Sequence, residues 1–76
     1  MAKRNRDVPI SDRIAFWRQQ RGLTLRALAE KSGLYASQLH RFEHGEQDPR
    51  ESEIQAIASG LGLTVVEFYE AEAKAS

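Results

Sequence analysis

The chain has 76 residues, which is enough for one domain with a small hydrophobic core and too few for a second catalytic or ligand-sensing domain. Because it has no cysteine, disulfide bonds and thiolate zinc sites are excluded, and packing or oligomerisation must stabilise the fold. The formal net charge is zero, yet residues 1–50 carry ten basic and six acidic side chains, whereas residues 51–76 carry one and five. The basic part is suited to a phosphate-bearing partner; the alternative is an incidental distribution of solvated charges.

The two ends of the chain differ in composition from its centre. Residues 1–10 include Lys3, Arg4 and Arg6 and too few apolar side chains to pack, which predicts a flexible basic N-terminal arm. Such an arm can follow a nucleic-acid backbone, or it can be a leader without a function. We expect a single domain over residues 11–72 and a frayed tail over residues 73–76. The sequence contains neither a long apolar run nor a secretory signal, so we expect a cytoplasmic protein.

The first predicted helix begins with Ser11 or Asp12 as its cap and ends at Gly22. One face of this helix carries the apolar residues Ile10, Ile14 and Trp17. Trp17 is therefore predicted to be a core aromatic residue rather than a platform on which bases stack. Phe16 lies off this face and is a candidate for a partner surface.

Residues 24–45 predict two short helices joined by a tight turn. Thr24 has a side-chain oxygen at a position that caps a helix, and Gly33 can adopt the left-handed conformation that ends one. The second of these helices is expected at Ala36–Glu43. The apolar residues that would pack the pair are Leu25, Leu28, Ala29, Leu34, Leu39 and Phe42. Two helices with such a short connection have the form of a helix-turn-helix, whose second helix can enter the major groove of DNA.

Two further helices are predicted after a loop around Pro49, which cannot continue a helix. Ser52 and Gln55 have capping-box spacing at the start of the fourth helix, and Thr64 and Glu67 have the same spacing at the start of the fifth. The apolar face of the fourth helix consists of Ile54, Ile57, Ala58 and Leu61. No segment has the alternation of a strand. We therefore predict an all-α fold of five short helices.

The order and spacing of several motifs resemble those of the lambda-repressor-like, Cro-type helix-turn-helix domains, also called the XRE family. The motifs are Ile14, Trp17 and Arg18, then GLT and LAEKSGL within residues 22–34, Leu39, RFEHG at residues 41–45, Pro49, and IAxxLGL with EFY within residues 57–69. The resemblance covers residues 14–69 and implies a lambda-repressor-like fold with the helix-turn-helix at helices 2 and 3. It implies a transcriptional regulator, a small repressor or controller protein, that binds a pseudo-palindromic operator in double-stranded DNA as a homodimer.

The resemblance also implies roles for individual residues. The implied base-reading residues are Ala36, Ser37, Gln38, His40 and Arg41. The implied phosphate-binding residues are Thr24, Arg26, Tyr35 and Arg50. The implied dimer interface consists of Val65, Val66, Phe68 and Tyr69 on the fifth helix. In relatives, the positions of Arg18 and Glu43 hold a bridge that fixes the recognition helix on the first helix; the alternative is an ordinary surface pair.

The chain departs from the family pattern in three places. Tyr35 replaces the Ser or Thr that usually caps the recognition helix, so the cap is expected to be lost. Leu25 replaces a polar residue that often contacts DNA. Glu46 and Asp48 lie in a loop that is usually basic, where carboxylates would repel phosphate or narrow specificity.

These departures leave a second function open. The alternative is a helical protein-interaction module, such as an antitoxin-like or adaptor protein, that has lost strong DNA binding. Such a module would bind its partner through Phe16 or through the surface of Phe68 and Tyr69.

Metal binding and catalysis have little support in the sequence. His40 and His44 are four residues apart on one helix, as in some metal sites, but no third ligand has suitable spacing because Glu43 is assigned to the bridge. We therefore expect no metal, cofactor or small-molecule ligand. No nucleophile lies beside a base and no glycine-rich loop is suited to phosphates, so an enzyme is not expected.

Overall fold

The computed structural model describes residues 8–70, which form five α-helices and no strand. The helices are α1 (Ile10–Gln20), α2 (Leu25–Ser32), α3 (Ala36–Glu43), α4 (Glu51–Gly60) and α5 (Val65–Glu70). The predicted all-α fold of five helices is therefore confirmed, and α3 has the predicted bounds. The predicted arm, apart from residues 8–10, and the predicted tail lie outside the described residues. Within the described range no helix combines the length and apolar character needed to cross a membrane.

The hydrophobic core takes side chains from every helix. Its fully buried apolar members are Ile14, Leu28, Leu39, Phe42, Ile57 and Phe68. Helix α2 packs on α3 and α4, and α1 packs on α3 and α5. Burial of such side chains contributes about 1.5–3 kcal/mol each, so helices of six to eleven residues that would be marginal alone hold one another in place.

Two helices begin earlier than the sequence predicted. Helix α1 follows Pro9 and makes no side-chain cap, so the predicted cap at Ser11 or Asp12 is wrong. Helix α4 begins after Arg50, whose backbone N–H donates to Glu53 Oε1 over 2.7 Å. This bond replaces the predicted box of Ser52 and Gln55. Helix α1 begins directly after Pro9 and α4 begins two residues after Pro49, since a proline ring disfavours helical backbone before it and fixes φ at a value compatible with a helix entrance.

Other helix ends agree with the sequence prediction. Thr24 Oγ1 accepts a hydrogen bond from Ala27 N over 3.0 Å, and Gly33 ends α2 with φ of +74°. At α5, Thr64 N donates to Glu67 Oε1 over 2.8 Å, and Glu67 N donates to Thr64 Oγ1 over 3.0 Å. The hydrogen bonds of this capping box run in both directions. These ends were predictable because each depends on residues within four positions of one another.

Helix α5 is fixed on α1 by two side-chain donors to one carbonyl. Phe68 O accepts from Arg13 Nη1 over 3.2 Å and from Trp17 Nε1 over 3.3 Å. Arg13 is buried, and its burial lowers the pKa of the guanidinium from its usual value. Trp17 packs against the core as predicted, but nothing in the sequence pattern singled out Arg13.

Phe68, which the sequence placed at the predicted dimer interface, lies in the core of the single chain. Its side chain is fully buried against the core and has no surface available to a second molecule. The neighbouring Tyr69 is 41% exposed and Val66 is 60% exposed. A helix of six residues is too short for its apolar periodicity to distinguish the inner face from the outer one.

Candidate nucleic-acid interface

Helix α3 has an inner face that packs in the core and an outer face that is exposed to solvent. Leu39 and Phe42 are fully buried. The predicted base-reading residues Ser37, His40 and Arg41 are exposed, whereas Gln38 and Ala36 are half-buried. Ala36 packs against the core, which limits its side chain to a minor part of any contact. The exposed polar face of α3 is therefore narrower than the sequence predicted.

A bidentate ion pair holds the C-terminal end of α3 against α1. Arg18 Nε lies 2.6 Å from Glu43 Oε2, and Arg18 Nη2 lies 3.1 Å from Glu43 Oε1. The two side chains are 18% and 8% exposed. The hydrogen bond to Glu43 raises the pKa of Arg18, so the guanidinium stays charged, and Arg18 Nη1 also donates to Leu23 O over 2.9 Å. This arrangement fixes α3, α1 and the turn after α1 as one unit, which a lysine could not reproduce.

The start of α3 is built differently from the family pattern that the sequence resembles. Tyr35 occupies the cap position in extended backbone, with φ of −99° and ψ of +146°, and its side chain makes no cap hydrogen bond. The ring is 74% exposed. The Tyr35 N–H donates instead to Gln38 Oε1 over 2.9 Å. Gln38 thus supplies half of a capping box, a role that its position three residues after the cap could have indicated.

Gln38 also reaches the next helix. Its Nε2 lies 3.5 Å from Glu53 Oε2, and the other oxygen of Glu53 accepts the Arg50 N–H. The first turns of α3 and α4 are therefore connected by one long side-chain contact. The sequence pattern indicated no role for Glu53, because the contact joins residues fifteen positions apart on two helices and no local spacing reveals it.

The predicted phosphate-binding residues lie at helix entrances. Thr24, Tyr35 and Arg50 are the cap residues of α2, α3 and α4, and Arg26 lies in the first turn of α2. All four are exposed. Helix N-termini favour anions because their first backbone N–H groups lack intrahelical acceptors. Thr24 Oγ1 accepts the hydrogen bond from Ala27 N, and its O–H can still donate to a phosphate oxygen beside the backbone N–H groups.

The two histidines form a local pair at the end of α3. Their rings stack with centroids 4.0 Å apart, and His44 Nδ1 lies 2.8 Å from the carbonyl oxygen of His40. Over the part of the chain that the structure describes, no group of three His, Cys, Asp or Glu residues could hold a metal ion. The acidic residues Glu46 and Asp48 are exposed in the loop that follows, as expected.

Apolar surface outside α3 is concentrated on α5. Val66 and Tyr69 are exposed, and Val65 is half-buried against the core. Phe16 is half-buried and packs edge-on against Trp17, with ring centroids 5.3 Å apart. The remaining candidates for a protein contact are therefore Val65, Val66 and Tyr69, with a smaller contribution from Phe16.

Comparison with known proteins agrees with this geometry. A model of the helix-turn-helix domain family matches residues 10–71. A transcriptional regulator of the HTH_3 family from Vibrio cholerae is 33% identical over 80% of this chain, with a TM-score of 0.77. The restriction-modification controller protein C.AhdI from Aeromonas hydrophila is 27% identical, and the match covers 82% of this chain and 94% of that protein with a TM-score of 0.76.

A third solved structure supports the fold alone. The DNA-binding domain of the P22 C2 repressor is 16% identical with a TM-score of 0.79, and the match covers 91% of both chains. The chain spans 34% of the length of the Vibrio regulator. No curated protein sequence matches the chain. Because the family model covers most of its length, the chain belongs to the helix-turn-helix domain family, and its fold is lambda-repressor-like.

Proposed function

We propose that the protein is a sequence-specific transcriptional regulator that binds a pseudo-palindromic DNA operator as a homodimer. Helix α3 enters the major groove and reads base edges, while the entrances of α2, α3 and α4 hold phosphates. The observation that carries the proposal is the exposed polar face of α3 on a helix whose orientation is fixed by the Arg18–Glu43 pair. A side chain can read a base only if its helix docks in one orientation.

Arg41 and Gln38 have the chemistry best suited to reading bases; Arg41 is exposed and Gln38 is half-buried. Arg41 can donate two hydrogen bonds to guanine O6 and N7, and Gln38 can bind adenine N6 and N7. Ser37 can donate or accept. His40 is exposed on the same helix and its stacking on His44 gives its ring a defined position. Ala36 adds at most a small apolar contact, such as one with a thymine methyl group.

A second group of residues is proposed to contact phosphates, and these contacts do not depend on the base sequence of the DNA. The backbone N–H groups at the start of α2, next to Thr24, and the side chain of Arg26 bind one phosphate, and Arg50 binds another. Tyr35 is exposed at the start of α3, and its hydroxyl donates a hydrogen bond to a phosphate oxygen of the DNA backbone. The acidic loop with Glu46 and Asp48 disfavours positions in which it would approach the backbone, which restricts the docking geometry.

The dimer forms through the exposed part of α5. Val66 and Tyr69, with Val65 beneath them, provide an apolar patch that a second copy covers. Two recognition helices related by a two-fold axis then read half-sites about one turn of DNA apart. Sedimentation at tens of micromolar protein without DNA tests this part, and a monomer under those conditions contradicts it.

Selection of bound duplexes from a genomic library tests the DNA-binding part. We expect a palindromic motif and a Kd that weakens steeply with salt, because each neutralised phosphate releases a counterion. The matched control is a duplex of the same length with the motif scrambled, which should bind more weakly with a similar salt slope. If neither a motif nor a salt slope is found, the protein-interaction module is the better description.

A further inference from the structure

We infer that Glu53, at the start of α4, is a positioning residue for DNA recognition by α3: it fixes the order in which the Gln38 amide presents its acceptor and donor to a base pair. The inference rests on the proposed function, since it concerns how the same face reads DNA. Glu53 lies outside the recognition helix, and in this role it acts on the DNA only through Gln38.

The two neighbours of the Gln38 amide determine its orientation. A backbone N–H can only donate, so the amide atom 2.9 Å from Tyr35 N must be the oxygen. An ionised carboxylate can only accept, so the atom 3.5 Å from Glu53 Oε2 must be the nitrogen. The reversed amide would place two donors together at Tyr35 and two acceptors together at Glu53. The contact to Glu53 is long, but a Gln38 oxygen placed there would be repelled by the carboxylate, so the reversed amide is disfavoured.

This arrangement leaves the groups that a base needs. A side-chain amide has two acceptor lone pairs and two N–H groups, and the protein uses one of each. One lone pair and one N–H remain, which are the partners of adenine N6–H and N7. Gln38 therefore does not have to give up its intramolecular bonds to read a base. Because its orientation is set before binding, less side-chain entropy is lost on docking.

The carboxylate of Glu53 is itself held in place. Its Oε1 accepts the Arg50 N–H over 2.7 Å, and the side chain is half-buried between the two helix entrances. A glutamine at this position can keep the bond to Arg50 through its oxygen, but it then turns its own amide N–H groups toward Gln38 Nε2. Glu53→Gln therefore preserves the cap of α4 and removes the acceptor that orients Gln38.

Three variants separate positioning from charge. Gln38→Ala identifies the base pair that Gln38 reads, because preference at that position alone should fall. Glu53→Gln should lower the preference at the same base pair by about tenfold and leave the other positions and the salt slope unchanged. The matched control is Glu51→Gln, which removes an exposed carboxylate from the same helix turn. It should change affinity similarly for all sequences.

Nuclear magnetic resonance of the DNA-free protein provides a readout that does not depend on binding. In the unmodified protein, the side-chain amide protons of Gln38 should exchange with water more slowly than those of the exposed Gln55. In Glu53→Gln the two residues should become alike, while the Arg50 backbone amide stays protected if the cap is kept.

The outcomes are distinguishable. If the unmodified protein selects no motif, the proposed function fails. If it selects a motif and Gln38→Ala alters one base pair, but Glu53→Gln keeps the original preference there, the inference about Glu53 is wrong. It is equally wrong if Gln38→Ala alters no base pair, or if the Gln38 amide protons exchange as fast as those of Gln55 before any substitution.

Discussion

Helices α2 and α3 have the same length and lie next to each other in the helix-turn-helix, yet they are stabilised in different ways. Helix α2 has local signals at both ends, namely the Thr24 cap and the left-handed Gly33. Helix α3 begins at Ala36, after the cap residue Tyr35, whose side chain makes no cap bond. It is held by contacts with other helices, which are the buried Leu39 and Phe42 and the ion pair of Glu43 with Arg18.

The difference indicates which side chains stabilise each helix and which side chains remain available to contact DNA. A helix that depends on a Ser or Thr cap uses that side chain and the N–H of its third residue for its own stability. Helix α3 takes its stability from its inner face, its C-terminal end and the bond from Tyr35 N–H to Gln38 Oε1, so the side chain at its cap position is left available for DNA. Loss of the Arg18–Glu43 pair should therefore affect α3 most, and loss of a side-chain cap should affect α2 most.

The largest effect is expected when α3 loses its central packing residue. Phe42→Ala should lower the free energy of unfolding by about 3–5 kcal/mol, because it leaves a cavity in the centre of a small core. Urea denaturation followed by circular dichroism measures this value. Tyr35→Ala, which removes an exposed aromatic ring outside the proposed dimer interface, is the control and should cost far less in the absence of DNA. A loss for Phe42→Ala near that of Tyr35→Ala would mean that α3 does not depend on its core contacts.

Removing the ion pair should have the next largest effect. Glu43→Gln leaves Arg18 charged and mostly buried without its carboxylate, which should cost about 2 kcal/mol. Amide hydrogen exchange should increase at the C-terminal end of α3 and change little in α2, since only α3 uses this bridge. The control is Glu30→Gln, an exposed carboxylate on α2. Equal increases in exchange in both helices would show that the pair stabilises the domain as a whole and does not orient α3.

The proposed reading and supporting roles can be compared with one arginine from each helix. Arg41→Ala on α3 should cost about 1–3 kcal/mol at particular base pairs and relax preference there. Arg26→Ala on α2 should weaken all sequences similarly and lower the salt slope by about one. Both side chains are exposed, so neither change should unfold the domain. If Arg41→Ala leaves both affinity and preference unchanged, the reading face of α3 is assigned wrongly.

The same contrast explains what the sequence could predict. Thr24, Gly33 and the box of Thr64 with Glu67 depend on neighbours within four residues, and each has the role that its spacing predicted. The bounds of α3 were also predicted, because Leu39 and Phe42 repeat at helical spacing. The family resemblance, however, rests on motifs spread over most of the chain.

Features that depend on tertiary contacts were predicted less well. The contact of Glu53 with Gln38 joins two helices, and the hydrogen bond of Arg13 to Phe68 joins residues 55 positions apart. No spacing rule covers such distances. The bridge of Arg18 with Glu43 was anticipated only because relatives have it, and the adjacent Phe68 and Tyr69 could not be separated into inner and outer residues by pattern alone.

The smallest changes in stability are expected when the side-chain cap is removed from α2 and one is added to α3. Thr24→Ala should destabilise the domain by about 1 kcal/mol because it removes the acceptor for Ala27 N. Tyr35→Thr should stabilise it by about 0.5–1 kcal/mol, because a hydroxyl in the same extended backbone can accept the N–H of Gln38. Thermal unfolding measures both. If Tyr35→Thr destabilises instead, the exposed tyrosine ring contributes packing that its 74% exposure conceals. If it stabilises the protein but weakens DNA binding, the family's usual cap has been given up here in favour of a hydroxyl that reaches the DNA.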